Sequence, residues 1–149
     1  MKKILLIEDD TALRENTAEI LILANYHVAT APNGRVGIAS AISSIPDIVV
    51  CDIMMPEVDG YGVLKALSSD AKTQHIPFIF LSAKTEHKEI RKGMDLGADD
   101  YLTKPFEEEE LISAIESRMA KATILQSRTN SNGTLETERQ EKPRKQTLP

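Results

Sequence analysis

The feature that most constrains this chain is the length of its apolar runs. Ile4 to Ile7, a weaker Val28 to Ala31, Ile48 to Cys51, Phe78 to Leu81 and a short Tyr101-Leu102 are each strand-length rather than helix-length. Between them the periodicity changes. Leu13, Thr17, Ile20, Leu21 and Ala24 fall on one helical face, and after the last run Leu111, Ile112, Ile115, Met119 and Ala122 do the same. Shorter helical stretches are predicted near 34–43, 60–69 and 86–95. Near-continuously apolar first, third and fourth runs suit strands buried on both faces, so the pattern predicts a parallel sheet with helices on either side. The fold class is α/β, in three layers, without an internal repeat.

Charge divides the chain unevenly. Residues 1–120 carry 12 basic and 20 acidic side chains, whereas 121–149 carry 6 and 3. From Ser127 onward only Leu135 and Leu148 are sizeable apolar groups, so burial cannot offset the entropy of ordering that stretch. We therefore expect a folded domain over 1–125 and a disordered tail or truncated linker over 126–149. Net charge −5 disfavours direct nucleic-acid binding. The single cysteine cannot form an internal disulfide, and Lys2 and Lys3 precede only four apolar residues, too few for a secretion signal. No run approaches the ~18 apolar residues of a membrane span. The expectation is a reduced, cytoplasmic protein with no membrane partner.

In an open α/β sheet the ligand lies beyond the carboxyl ends of the strands, so the residues following each run carry the most information. Glu8, Asp9 and Asp10 follow the first, Asp52 the third, Ser82 the fourth and Lys104 the fifth. Each acid alone would read as a solvated loop residue or a helix cap; their convergence is what points to chemistry. Carboxylates brought together repel unless a cation intervenes, and oxygen ligands without nearby His or Cys suit Mg²⁺. Asp9 and Asp52 are the expected ligands, with Glu8 acting through water. A metal beside a carboxylate, a hydroxyl and an ammonium is a set able to pass a phosphoryl group. Asp52 would attack phosphorus, Ser82 would hydrogen-bond one oxygen and Lys104 would pair with another.

The segments KKILLIEDD, DIVVCDIMMPEVDGYGVL, PFIFLSAK and GADDYLTKPF together resemble the receiver domain of bacterial two-component response regulators, over about residues 1–122. The resemblance implies a flavodoxin-like (βα)5 fold whose doubly wound five-stranded parallel sheet has the order 2-1-3-4-5. It implies Asp52 as phosphoacceptor, Glu8 and Asp9 as the acidic pair, the Met54 backbone carbonyl as a metal ligand and Ser82 as the switch hydroxyl. Lys104 becomes the phosphoryl-contacting lysine and Tyr101 the aromatic switch; Asp10 is no ligand and is expected to cap the first helix. A cis Lys104-Pro105 peptide would aim the lysine at the site. Ser82 replaces the more usual Thr, and Glu8 stands where many members have a second Asp. Met54 and Lys84 resemble positions that tune loss of the phosphoryl group through water access.

The function so implied is a phosphorylation-dependent signalling switch rather than an enzyme. Its partners would be a sensor histidine kinase or phosphotransfer protein, and a downstream effector or missing C-terminal output domain. The output surface would comprise the fourth helix, fifth strand and fifth helix, including Ile90, Tyr101 and the Lys104 loop. A Mg²⁺-dependent small-molecule phosphohydrolase acting through an aspartyl-phosphate is the alternative. Such enzymes often place a second acid two residues after the nucleophile, and here that residue is Met54. An FMN binder fits the fold but not the Glu-Asp-Asp sequence after the first run. The remaining ~24 residues are below autonomous domain size, which leaves a stand-alone receiver or the N-terminal piece of a longer regulator. A fifth helix continuing through Ala122 and Leu125 would support weak homodimerisation.

Several residues are set aside. Cys51 belongs to an apolar strand and reads as a buried thiol. His27, His75 and His87 lack metal-ligand spacing. Glu107 to Glu110 complement a helix dipole, and Lys142, Arg144 and Lys145 are too dilute to argue for DNA binding.

Overall fold

The computed structural model describes residues 1–83 and 87–133. Five strands, β1 (Lys3–Ile7), β2 (His27–Ala31), β3 (Ile48–Asp52), β4 (Phe78–Ser82) and β5 (Asp100–Thr103), alternate with helices α1 (Thr11–Leu23), α2 (Gly34–Ser43), α3 (Gly60–Ser68), α4 (His87–Asp95) and α5 (Glu108–Gly133). All strand pairs are parallel, in the order β2-β1-β3-β4-β5. The expected doubly wound sheet is therefore present. Lys84, the stretch 134–149 and its basic cluster Lys142, Arg144 and Lys145 lie outside the described residues.

The period-two alternation of each strand sorts its side chains between two cores. Leu5, Ile7, Val49, Cys51, Phe78 and Phe80 join Val63, Leu64 and Leu67 of α3 on one face. Ile4, Leu6, Ile48, Val50, Ile79 and Leu81 meet Ala18 and Leu21 of α1 and Leu111, Ala114 and Ile115 of α5 on the other. Burying each large aliphatic side chain contributes about 1.5–3 kcal/mol, so a one-residue slip in register, which would exchange the two sets, is strongly opposed. The helical faces expected from spacing are present, with Ala18 and Ala114 buried in addition.

Side-chain caps start the first three helices. Asp10 Oδ1 accepts from the Leu13 N–H at 3.0 Å, Asn33 Oδ1 from Val36 at 2.9 Å and Asp59 Oδ1 from Gly62 at 2.9 Å. Asp10 is thus a cap, as expected. At α5 the Glu107 N–H donates to Glu110 Oε1, and three glutamates occupy the first turn.

One compact unit runs Met1–Met119 and a second begins at Ala120. Met119 is the last of the buried α5 side chains, and Ala120, Lys121, Thr123 and Ile124 are exposed. The backbone nevertheless stays helical through Gly133, although the segment from Ser127 was expected to be tail. Elongating an existing helix costs far less than nucleating one, and the helix-favouring residue types Ala120, Ala122, Leu125 and Gln126 suit such elongation.

Candidate functional site

The sheet order sets the site. β1, β3, β4 and β5 are neighbours, so their carboxyl ends bring Glu8, Asp9, Asp52, Ser82 and Lys104 to one edge of the sheet. Carboxylate oxygens of Glu8, Asp9 and Asp52 lie within 4.8 Å of one another. Glu8 is 2% and Asp52 5% exposed, whereas Asp9 is open to solvent. Lys104 reaches both buried acids, with Nζ 2.7 Å from Glu8 Oε1 and 3.2 Å from Asp52 Oδ1. Ser82 is fully buried at the end of β4, and its backbone carbonyl accepts from the Lys104 N–H at 2.8 Å. The Lys104-Pro105 peptide is cis, matching the sequence expectation.

The electrostatics follow from burying two acids beside one ammonium. Burial pushes the Glu8 carboxyl above its ordinary range; the Lys104 hydrogen bond opposes this and the Asp52 charge adds to it. Burial works against the Lys104 ammonium, but its hydrogen bond to Glu8 and the charges of Asp52 and Glu8 prevail, and its pKa ends above the usual lysine value. Burial also raises the Cys51 thiol well above the ordinary range, helped by the neighbouring carboxylates. That thiol is fully buried, in keeping with its reading as structural.

The site has supports that spacing alone did not reveal. Arg14 Nη1 donates to the Glu8 backbone carbonyl at 2.8 Å, and the Asp10 N–H donates to Glu8 Oε2 at 3.3 Å, so α1 fixes the Glu8 turn from two sides. Gly60, the first residue of α3, permits a close approach of backbone to backbone. A Cβ there would lie 2.5 Å from the Asp52 carbonyl oxygen and 2.8 Å from Ile53 Cα. Its N–H donates to the Ile53 carbonyl at 2.9 Å, which seats the start of α3 against the end of β3. The sequence signal was the Asp59-Gly60 pair, a cap followed by a residue without a side chain.

Tyr101 is half-buried on β5, its ring edge-on to Phe80 with centroids 6.4 Å apart. Phe80 in turn meets Tyr61 of α3 at 5.4 Å, so a line of aromatic rings crosses from the sheet edge to the helical layer. Met54 points its side chain largely into solvent, at 59% exposure. Ile90 is half-buried on α4.

Residues 4–116 match the response regulator receiver domain family, and the chain belongs to it. It is 38% identical over 121 residues to the DNA-binding dual master transcriptional regulator RpaA of Synechocystis, covering 81% of this chain and 50% of that protein. It is also 38% identical over 121 residues to the response regulator MprA of Mycolicibacterium vanbaalenii, covering 81% and 52%. The chain thus spans about half the length of these relatives. Among solved structures, the chemotaxis protein CheY4 of Vibrio cholerae superposes with a TM-score of 0.76 at 29% identity, over 79% of this chain and 98% of that one. The receiver domain of a Pseudomonas aeruginosa sensor histidine kinase, with magnesium coordinated in its active-site cleft, gives 0.75 at 25% identity, over 80% and 98%. The chain is a receiver domain of the two-component response regulators. Among the described residues no helix is long and apolar enough to cross a membrane.

Proposed function

We propose that this domain accepts a phosphoryl group on Asp52 and uses the modification as a signalling switch. The observation that carries the reading is the convergence of Glu8, Asp9 and Asp52 within 4.8 Å, with Lys104 3.2 Å from Asp52. Three carboxylates and one ammonium leave an excess of negative charge among oxygen-only donors, which fits a hard divalent cation such as Mg²⁺. Glu8, Asp9, Asp52 and the Met54 backbone carbonyl would hold it, Glu8 through water. When bound, Mg²⁺ supplies charge neutralisation for a phosphoryl oxygen.

The chain's own groups account for the rest. An Asp52 carboxylate oxygen forms the bond to phosphorus as the donor's phosphorus–nitrogen bond breaks, and the electron pair leaves with the donor imidazole. Lys104 transfers its charge from Glu8 and Asp52 toward a phosphoryl oxygen, and Ser82 Oγ donates to another. Drawing Ser82 toward the phosphoryl group would free space for the Tyr101 ring to move inward against Phe80, changing the α4-β5-α5 surface around Ile90. The second position after Asp52, where such phosphohydrolases often carry an acid, holds the exposed Met54, which argues against turnover of a phosphate ester. We infer a signalling domain rather than an enzyme, working in the cytoplasm with a sensor histidine kinase or phosphotransfer protein. Its effector would be a separate protein or an output domain beyond this chain. Homodimerisation through the α5 extension would need Leu125, whose side chain lies outside the described residues.

Intact-protein mass spectrometry after incubation with Mg²⁺ and acetyl phosphate tests this reading. A single phosphate adduct is expected, absent in Asp52→Asn and absent with chelator. Lack of an adduct on folded protein would overturn the mechanism. Sustained release of phosphate from small esters, at many turnovers per chain, would favour the phosphohydrolase instead.

A further inference from the structure

A groove of about 640 Å³ opens between α3 and α4, and its charge is opposite to that of the surrounding domain. Lys65 of α3 and Lys88, Arg91 and Lys92 of α4 line it, in a segment of the chain where acids outnumber bases 20 to 12. On α4 the three cations recur at i, i+3 and i+4, spacing that directs them to one side. All three are exposed, so they form one solvent-facing cationic stripe along the open side of the groove, at a spacing where like charges repel one another.

The lining carries the four cations against two carboxylates, Asp59 and Asp95, which offset the repulsion only in part. Asp59 is engaged as the α3 cap, accepting from the Gly62 N–H at 2.9 Å, and Asp95 pairs loosely with Arg91 at 3.9 Å. Lys92 Nζ stands 4.4 Å from the centroid of the Tyr61 ring. The Tyr61 hydroxyl donates to Glu89 Oε2 at 3.1 Å, which ties the ring beneath Lys92 to α4. That ring is buried, so it offers no free face on which a base could stack.

We propose that this groove binds an oligophosphate anion, either inorganic or carried by a nucleoside. Its volume is that of a small-ligand site, its ammonium groups act as point charges for phosphate oxygens, and its lack of an open aromatic face makes the phosphates the recognised part. The groove is distinct from the acid cluster and requires no divalent ion. Occupation would bridge α3 to α4 and neutralise the repulsion within α4.

Amide-resolved NMR titration of the ¹⁵N-labelled chain with tripolyphosphate, and separately with ATP, in the presence of EDTA tests the proposal. Saturable shifts centred on Gly62, Lys65, Lys88 and Lys92 are expected. Lys65, Lys88 and Lys92 are exposed, so Lys65→Gln/Lys88→Gln should keep the wild-type urea midpoint while losing about tenfold in affinity. Equal affinity for the two probes supports recognition of phosphate alone, and tighter ATP binding supports the nucleoside as its carrier. Three results would overturn the proposal: no saturable binding, an equal loss in the distant control Lys2→Gln/Lys72→Gln, or tighter binding of a polyglutamate peptide, which would make the groove a protein-docking surface.

Discussion

Replacing Lys104 by Met isolates the cation that two buried carboxylates share. At 2.7 and 3.2 Å, gross attractions are about 6 and about 5 kcal/mol with an effective dielectric constant near 20. Desolvation of the ammonium offsets much of this, and Lys104 keeps 18% of its side chain exposed. Removing one partner of a buried pair costs about 3–5 kcal/mol; the residual exposure and the ability of the cluster to take up a proton argue for about 2–3 kcal/mol here. The sign of the pH dependence follows from Glu8. Its carboxyl already lies above the ordinary range because of burial, with Asp52 adding to the effect, and removing Lys104 takes away the main opposing influence. A carboxyl with a folded-state pKa above its unfolded value gives stability that is present below the unfolded pKa and lost as pH rises through the folded one. The Lys104→Met deficit should therefore be largest near pH 8, shrink on acidification through the Glu8 titration, and shrink when Mg²⁺ replaces the lost cation. Urea unfolding in EDTA and in Mg²⁺, at pH 5 and pH 8, measures all of this. A variant as stable as wild type in EDTA at pH 8 would refute the argument.

Other perturbations give sharper single readings. Gly60→Ala places a Cβ against the backbone of Asp52 and Ile53, and a loss of about 1–3 kcal/mol in urea unfolding is expected, as for other overpacked positions. Asp10→Ala removes the α1 cap bond to the Leu13 N–H and should cost about 1 kcal/mol without abolishing phosphorylation by acetyl phosphate. Cys51 is fully buried, so a thiol reagent should modify it only at the rate of unfolding, reaching it immediately in urea. Rapid stoichiometric labelling of native protein would contradict the burial.

What the sequence made legible was whatever repeats locally. The strand runs and the helices at 34–43 and 60–69 agree with the observed elements to within a residue or so, because buried parallel strands are apolar throughout and amphipathic helices keep their period. Even the half-buried β2 was visible as the weakest long run. Small core residues were harder to read: Ala18 and Ala114 carry no strong signal, and only the facing sheet explains their burial. The reach of α5 beyond its buried stretch was harder to read, because a helix already nucleated can continue on propensity without an apolar face to signal it. At the site the residue types were legible from the strand ends, but their partners were not. Lys104 lies closer to Glu8, 96 positions away, than to Asp52, and Arg14 braces the Glu8 carbonyl. Such contacts depend on three-dimensional distance, for which sequence spacing is no guide.

The position of β5 gives the site an internal asymmetry. Glu8 and Asp52 extend from β1 and β3, each paired on both sides, whereas Lys104 follows an edge strand whose four residues are all only half-buried. Local opening begins where ladder bonds and buried area are fewest. Fraying of that edge would withdraw the positive charge while leaving the acids in place. The pocket would then pass between a partly neutralised form and one with a stronger demand for an outside cation, without any change in its carboxylate framework.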